Sequence, residues 1–194
     1  GAIDRALRAH PQVVPPQGEA AARARLTRLL KEVVATPLPS APLPSASLSS
    51  SALSSSALPQ PAVLTLDRID RRHRLDEFEF MLPAAALHPP ALAALLQAHG
   101  FPPPALTTTT LAGWLRGFID LVFEHDGRYY LLDWKSNHLG PRRLDYGQAP
   151  MAAAMAHHDY HLQALLYCVA LHRYLGQRLD DYDYDRHVGG YHYL

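Results

Sequence analysis

The chain has 194 residues, with 18 Lys and Arg against 18 Asp and Glu. That length suffices for a domain with a real core, and the balanced charge excludes a globally basic nucleic-acid binder, so any DNA site has to be a local patch. No apolar run has the length of a transmembrane helix, the N-terminus lacks a charged-then-apolar signal pattern, and the lone Cys168 excludes an internal disulfide and fits a reducing cytosol.

In chain order, residues 3–9 begin a helix that Pro11, Pro15 and Pro16 end. From Gly18, the run E-A-A-A-R-A-R-L-T-R-L-L-K-E-V-V is helical, with Leu26, Leu29, Leu30 and Val33 on one stripe and Arg23, Arg25, Arg28 and Lys31 largely off it. The basic side reads as a solvated face, with a DNA-facing role as the alternative. Residues 1–35 therefore form an N-terminal helical segment. Residues 36–61, rich in Pro, Ser, Ala and Leu and without charge, read as a low-complexity linker or insertion that cannot bury enough apolar surface to offset its ordering entropy.

Residues 62–194 form the remaining domain. It starts with strand-like sequence over 63–82: a short element at 65–69, a basic cluster of Arg71, Arg72 and Arg74, and an alternating strand at 77–81. Pro90 opens a short helix over 91–98 that Gly100 closes. His88 and His99 flank it and read as surface or capping residues. Pro102–Pro104 and Thr107–Thr110 lead through a loop into the next element.

That element organises the chain. Residues 117–124 and 128–134 are rich in β-branched and aromatic side chains, and Asp126-Gly127 between them is a preferred two-residue hairpin turn. The turn sets the register: His125 faces Arg128, Val122 faces Leu131, and Asp120 faces Asp133. Lys135, two residues on, shares the face of Asp133. Ile119, Leu121, Phe123, Tyr130, Leu132 and Trp134 fall on the opposite, core-like face. Two facing carboxylates repel, so a cation belongs between them: Lys135 itself, or a divalent metal such as Mg²⁺, which favours carboxylate oxygens and water. A lysine beside such a site orients or deprotonates water, or stabilises charge on a phosphate, which points to metal-assisted phosphodiester hydrolysis. The plainer alternative is an exposed polar hairpin face with a surface Asp133–Lys135 ion pair.

Beyond the hairpin, Ser136-Asn137 and Gly140-Pro141 turn the chain, and Arg142 and Arg143 are exposed basic candidates. Residues 151–175 contain no Gly or Pro and read as one long helix, on which Gln163 and Tyr167 share a face. The acidic, tyrosine-rich stretch 180–185 reads as a solvated turn or contact loop rather than a second metal site. Residues 188–194 read as a strand cut short at the chain end.

G-F-I-D-L-V-F followed by Y-Y-L-L-D-W-K-S-N resembles the nuclease domains of the RecB family, the beta subunits of exodeoxyribonuclease V, and the wider PD-(D/E)XK nuclease superfamily. The segments at 151–155, 171–175 and 181–190 extend the resemblance, and Glu77-Phe-Glu-Phe80 is similar to the first core strand of these domains. It covers residues 64–194. The fold this implies is an α/β nuclease core, a mixed central sheet flanked by helices. The activity implied is Mg²⁺-dependent hydrolysis of double- and single-stranded DNA by the nuclease part of an ATP-driven helicase–nuclease in the bacterial cytoplasm, acting in double-strand break repair by recombination. Implied partners are the RecC and RecD subunits and the RecA recombinase.

By the resemblance, Asp120, Asp133 and the Trp134 carbonyl hold the metal, and Lys135 positions the attacking water or stabilises charge. Glu79 is an additional acidic candidate, and the Gln163/Tyr167 pair borders the site and contacts the DNA backbone; read from the residues alone, that pair is a hydrogen-bonded pair at the core edge. The chain contains no G-x-x-x-x-G-K-[ST] motif, so no motor is expected in it. The family also places a metal-ligating His in an upstream G-x-x-x-H helix. Residues 1–10 do not reproduce that pattern, the role is not assigned to His10, and weak Mg²⁺ binding and poor cleavage are expected of this chain by itself. The alternative function is a non-catalytic module that docks partner subunits or recombinase.

Overall fold

The computed structural model describes residues 1–38, 63–104 and 112–194. These fall into two compact units, 1–38 with 63–72, and 73–104 with 112–194. Most of the expected linker, and the Thr107–Thr110 run, lie outside the described residues. Among the described residues no helix is long and apolar enough to cross a membrane.

The first unit carries α1 (Ala2–Ala9) and α2 (Glu19–Val34). Pro11 leaves α1 in a single 3₁₀ turn, and Gly18 takes φ 87 just ahead of α2. An Arg23–Asp4 ion pair at 2.6 Å joins the two helices, with Leu7 and Ala22 buried. The apolar stripe of α2 is only partly covered. Leu26 and Val33 are partly buried, Leu29 and Leu30 are about half exposed, and the fully buried residue of α2 is Ala22. Helical spacing fixes which residues share a face but not which face is covered.

The second unit contains β1 (Arg74–Pro83), α3 (Pro89–Ala98), β2 (Trp114–His125), β3 (Arg128–Asp133), α4 (Gln148–His157), α5 (Tyr160–Gly176), α6 (Tyr184–His187) and β4 (Val188–Tyr193). The sheet order is β1-β2-β3-β4. The first two pairings are antiparallel and β3–β4 is parallel. A parallel neighbour needs a long connection, and α4, α5 and α6 supply it. The α/β core with a mixed sheet is as the resemblance implies. The short element expected at 65–69 is a 3₁₀ turn, Leu66–Arg68. His88 caps α3 by accepting from the Ala91 amide.

The β2–β3 register is the predicted one, His125↔Arg128 through Leu121↔Leu132, around an Asp126-Gly127 turn in which both residues have positive φ (51 and 74). Glu124 closes the turn by accepting the Gly127 N–H at 2.8 Å. The two faces differ from expectation. Val122 and Leu131, on the face assigned to the polar residues, are buried with Tyr167, Cys168 and Leu171 of α5. Leu121, Phe123, Tyr130 and Leu132 are buried too, so the hairpin has two apolar faces, whereas Trp134, expected in the core, is 45% exposed. Alternation also fails locally. The β1–β2 ladder pairs Asp76↔Leu121 and Phe78↔Ile119 but skips Glu77 and Asp120, and Glu77 has φ 55. Both Ile119 and Val122 then join the cluster under α5.

The expected single helix over 151–175 is two. α4 ends at His157 and α5 starts at Tyr160, with Asp159 left-handed at φ 53. An acidic residue tolerates that conformation better than most, which is why no Gly or Pro marks the break.

Gly117 leaves room for a ring: a Cβ there would overlap the Phe80 side chain, which packs edge-on against Tyr167 at 5.7 Å. Gly117→Ala is therefore expected to destabilise the chain by about 1–3 kcal/mol, the usual cost of overpacking, measured as a lowered urea midpoint with unchanged slope.

Candidate active site

Four elements meet at the far end of the hairpin from its turn. β2 supplies Asp120, the end of β3 and the residues after it supply Asp133, Trp134 and Lys135, α5 supplies Gln163 and Tyr167, and β4 supplies Tyr193. Continuing the ladder by one step puts Asp120 across from Asp133. The strands part there. Asp120 Oδ2 accepts the Trp134 N–H at 2.8 Å, so a carboxylate takes a place that a ladder carbonyl would otherwise fill. On its other edge β3 runs on, with the Lys135 N–H donating to the Leu194 carbonyl at 2.6 Å.

Asp133 is 7% exposed. A carboxylate so buried is tolerated when it is paired and hydrogen-bonded, and this one is both. Lys135 Nζ forms an ion pair with Oδ2, and the Tyr167 hydroxyl donates to Oδ1 at 3.3 Å. Gln163 ties the two partners together, accepting from Lys135 through Oε1 at 2.6 Å and donating through Nε2 to the Tyr167 oxygen at 2.9 Å. The direction of each bond follows from the inventory. An ammonium only donates, so it fixes the amide oxygen toward itself and the amide NH₂ toward the phenol. Burial first, and the adjacent Asp133 charge second, push the Tyr167 phenol up to about 12, with the charge of Asp120 adding to the shift. Tyr167 therefore remains a donor to Asp133.

The structure brings together Asp120, Asp133, Lys135, Gln163 and Tyr167. Glu79 is not among them: it pairs with Arg116 at 2.5 Å, opposite Phe118, while its neighbours Phe78 and Phe80 pack on α5 through Tyr174 and Tyr167. Strand alternation turns it to the other face. The acidic stretch 180–185 serves α6 instead, with Asp183 capping it and Asp181 paired to Arg186 at 2.8 Å. Residues that the sequence reading missed are Tyr160 and Tyr193, whose rings flank Lys135. No local motif announces them: Tyr193 lies on β4, which reaches Lys135 only through the parallel pairing, and Tyr160 opens α5, whose start follows an unmarked helix break.

The donor set suits a hard cation. Among the described residues no three His, Cys, Asp or Glu side chains converge as a ready metal cluster, so the chain offers two carboxylates and neighbouring backbone carbonyls. An ion that keeps several waters and takes one or two carboxylates, as Mg²⁺ does, fits such a set.

A model of the PD-(D/E)XK nuclease superfamily matches residues 2–193. The chain belongs to the PD-(D/E)XK nuclease superfamily. Nucleases of this superfamily typically use a divalent metal, in keeping with the donor set above. The RecB resemblance also holds. The chain is 47% identical over 138 residues to the RecBCD enzyme subunit RecB of Escherichia coli (strain K12), a match covering 68% of this chain and 11% of that protein. It is 40% identical over 158 residues to RecB of Mycobacterium tuberculosis (strain ATCC 25618 / H37Rv), covering 70% and 14%, and 34% identical over 135 residues to RecB of Buchnera aphidicola subsp. Acyrthosiphon pisum (strain APS), covering 68% and 12%. These matches span 11 to 14% of the length of those relatives.

The phenols of this PD-(D/E)XK core are held in their neutral form by burial. Tyr130, Tyr167, Tyr182, Tyr184, Tyr191 and Tyr193 are all shifted upward, burial being the largest cause in each. A raised phenol stabilises the fold below its unfolded value, and that stability is lost as pH rises through the folded value. Stability is thus expected to fall from about pH 10 toward about pH 12. An ultraviolet titration of phenolate should show fewer ionised tyrosines in the folded chain than in the denatured one at the same pH within that window.

Proposed function

We propose that this chain is the nuclease part of a RecB-type helicase–nuclease, hydrolysing DNA phosphodiester bonds with Mg²⁺ as exodeoxyribonuclease V activity. The observation that carries the reading is the Asp133–Lys135–Gln163–Tyr167 network beside Asp120: a buried carboxylate and an ammonium held side by side, with a second carboxylate next in register.

Asp120, Asp133 and the Trp134 carbonyl would hold the metal, which when bound would supply positive charge to a phosphate and lower the pKa of water. The remaining roles belong to the chain. Lys135, 17% exposed, presents donors that orient the attacking water or meet charge developing on the phosphoryl oxygens. Gln163 fixes the Lys135 ammonium, and Tyr167 fixes the carboxylate of Asp133, so the two groups are held beside one another. Gln163 and Tyr167 also border the path of the DNA backbone. Strand unwinding by an ATP-driven motor, the RecC and RecD subunits, RecA loading and a role in break repair by recombination in the bacterial cytoplasm follow from kinship with RecB. A second reading, a non-catalytic module that docks partner subunits or recombinase, is favoured by the absence of a third acidic or histidine ligand among the described residues.

Cleavage of linear duplex and single-stranded DNA with and without Mg²⁺ separates the two. In the intact protein, Asp133→Asn and Lys135→Ala are each expected to lower the rate at least about 10²-fold, the scale of a lost catalytic proton-transfer or charge-stabilising group, while circular dichroism stays native. Cleavage near the wild-type rate in both variants would refute the assignment.

A further inference from the structure

Lys135 is held by more than its two polar partners. Its Nζ lies 4.0 Å from the ring centroid of Tyr160 and 4.7 Å from that of Tyr193. The two rings stand 5.4 Å apart and are themselves fixed. The Tyr160 hydroxyl donates to Asn137 Oδ1 at 2.8 Å. The Tyr193 hydroxyl donates to the Tyr160 carbonyl at 2.8 Å and lies 3.2 Å from Gln163 Oε1. The Tyr193 phenol is pushed upward, chiefly by burial and then by the charge of Asp133, so its ring stays neutral and attractive to a cation.

An aromatic face differs from a carboxylate as a partner for an ammonium. It attracts the cation through its quadrupole and brings no net negative charge. A lysine held by Asp133 alone would be largely neutralised, and it would occupy the carboxylate that a metal needs. A lysine has a flexible four-carbon stem and, once released, spreads over many rotamers. Two rings and the Gln163 oxygen keep the ammonium in place whichever way Asp133 is engaged, and leave its charge available to a phosphate.

We infer that Tyr160 and Tyr193 form an aromatic cage that positions Lys135 for the cleavage step. This rests on the nuclease reading for what Lys135 does, but the cage itself is observable without catalysis. The sequence holds two lysines, Lys31 and Lys135, so a chain carrying ¹³C at lysine Cε gives two signals. Among the described residues no ring packs over the Lys31 ammonium, so Lys31 serves as the reference; Lys135 Hε should be shifted upfield of it by ring currents. Tyr160→Phe should keep the shift, and Tyr160→Leu and Tyr193→Leu should reduce it. In the intact protein, each leucine variant should lose kcat by roughly 5- to 30-fold, the range of a desolvated cation–π contact, with KM for DNA little changed, and Tyr160→Phe should restore the rate. Pentafluorophenylalanine at position 160 keeps the shape of the ring and removes its attraction for cations. It should behave like leucine in rate, and it covers the case in which a leucine variant does not fold.

Superposed Lys31 and Lys135 signals in the wild-type chain would overturn the cage. A wild-type kcat with pentafluorophenylalanine at position 160, or in leucine variants that have lost the shift, would overturn its positioning role. A preserved shift together with unimpaired cleavage by Lys135→Ala would instead sink the nuclease assignment of Lys135 and leave the cage standing.

Discussion

A buried carboxylate constrains everything around it. Asp133 is almost wholly removed from water, next in register to a second carboxylate, Asp120. The Asp133 charge alone would be costly at this depth, and the two carboxylates repel. Three elements exist at this point in the fold to make the arrangement tolerable: Lys135 from the same chain segment, Tyr167 and Gln163 from α5, and the Trp134 amide facing Asp120. A pair assembled so carefully is weak evidence for stability, because apolar residues of similar size would serve a core as well or better. Its retention makes sense as chemistry.

The geometry of the sheet delivers these groups. The hairpin turn sets the register, and the register sets the pair. The ladder lapses at Glu77 and Asp120, and at the same residue the Asp120 side chain bonds to the backbone beyond β3. α5 lies across the sheet with Tyr167 over Phe80 and Tyr174 over Phe78, so apolar packing one turn further along the helix aims the Gln163 amide at Lys135. The break between α4 and α5 starts the second helix at Tyr160, which places that ring above Lys135 rather than further along a continuous helix.

How far the sequence revealed this depended on range. The Asp126-Gly127 turn is local chemistry with a mechanism, and it was enough to bring Asp120, Asp133 and Lys135 together on paper. The i, i+4 spacing of Gln163 and Tyr167 was legible for the same reason. Three features were not. The lapse at Glu77 leaves only a doubled polar pair, Asp76-Glu77, ahead of the alternating run 77–81, and such a pair reads equally well as a strand boundary. The helix break at Asp159 uses an acidic residue in a left-handed conformation rather than a Gly or Pro. Tyr193 meets Lys135 through a parallel pairing whose partners lie far apart in sequence, and composition cannot announce such a contact. The exposure of Leu29, Leu30 and Trp134 belongs to the same class, since pattern shows which residues share a face and only tertiary packing decides whether that face is covered.

In the proposed function Asp120 and Asp133 jointly form the divalent-metal site. Mn²⁺, a paramagnetic stand-in for Mg²⁺, tests it most directly through the line-broadening of backbone amide signals during titration. The amides of Asp120, Asp133 and Trp134 are expected to broaden first, and an Asp120→Asn, Asp133→Asn double variant is expected to lose this effect while its remaining spectrum is unchanged. Broadening centred first on the acidic stretch 180–185, or unaltered in the double variant, would contradict it.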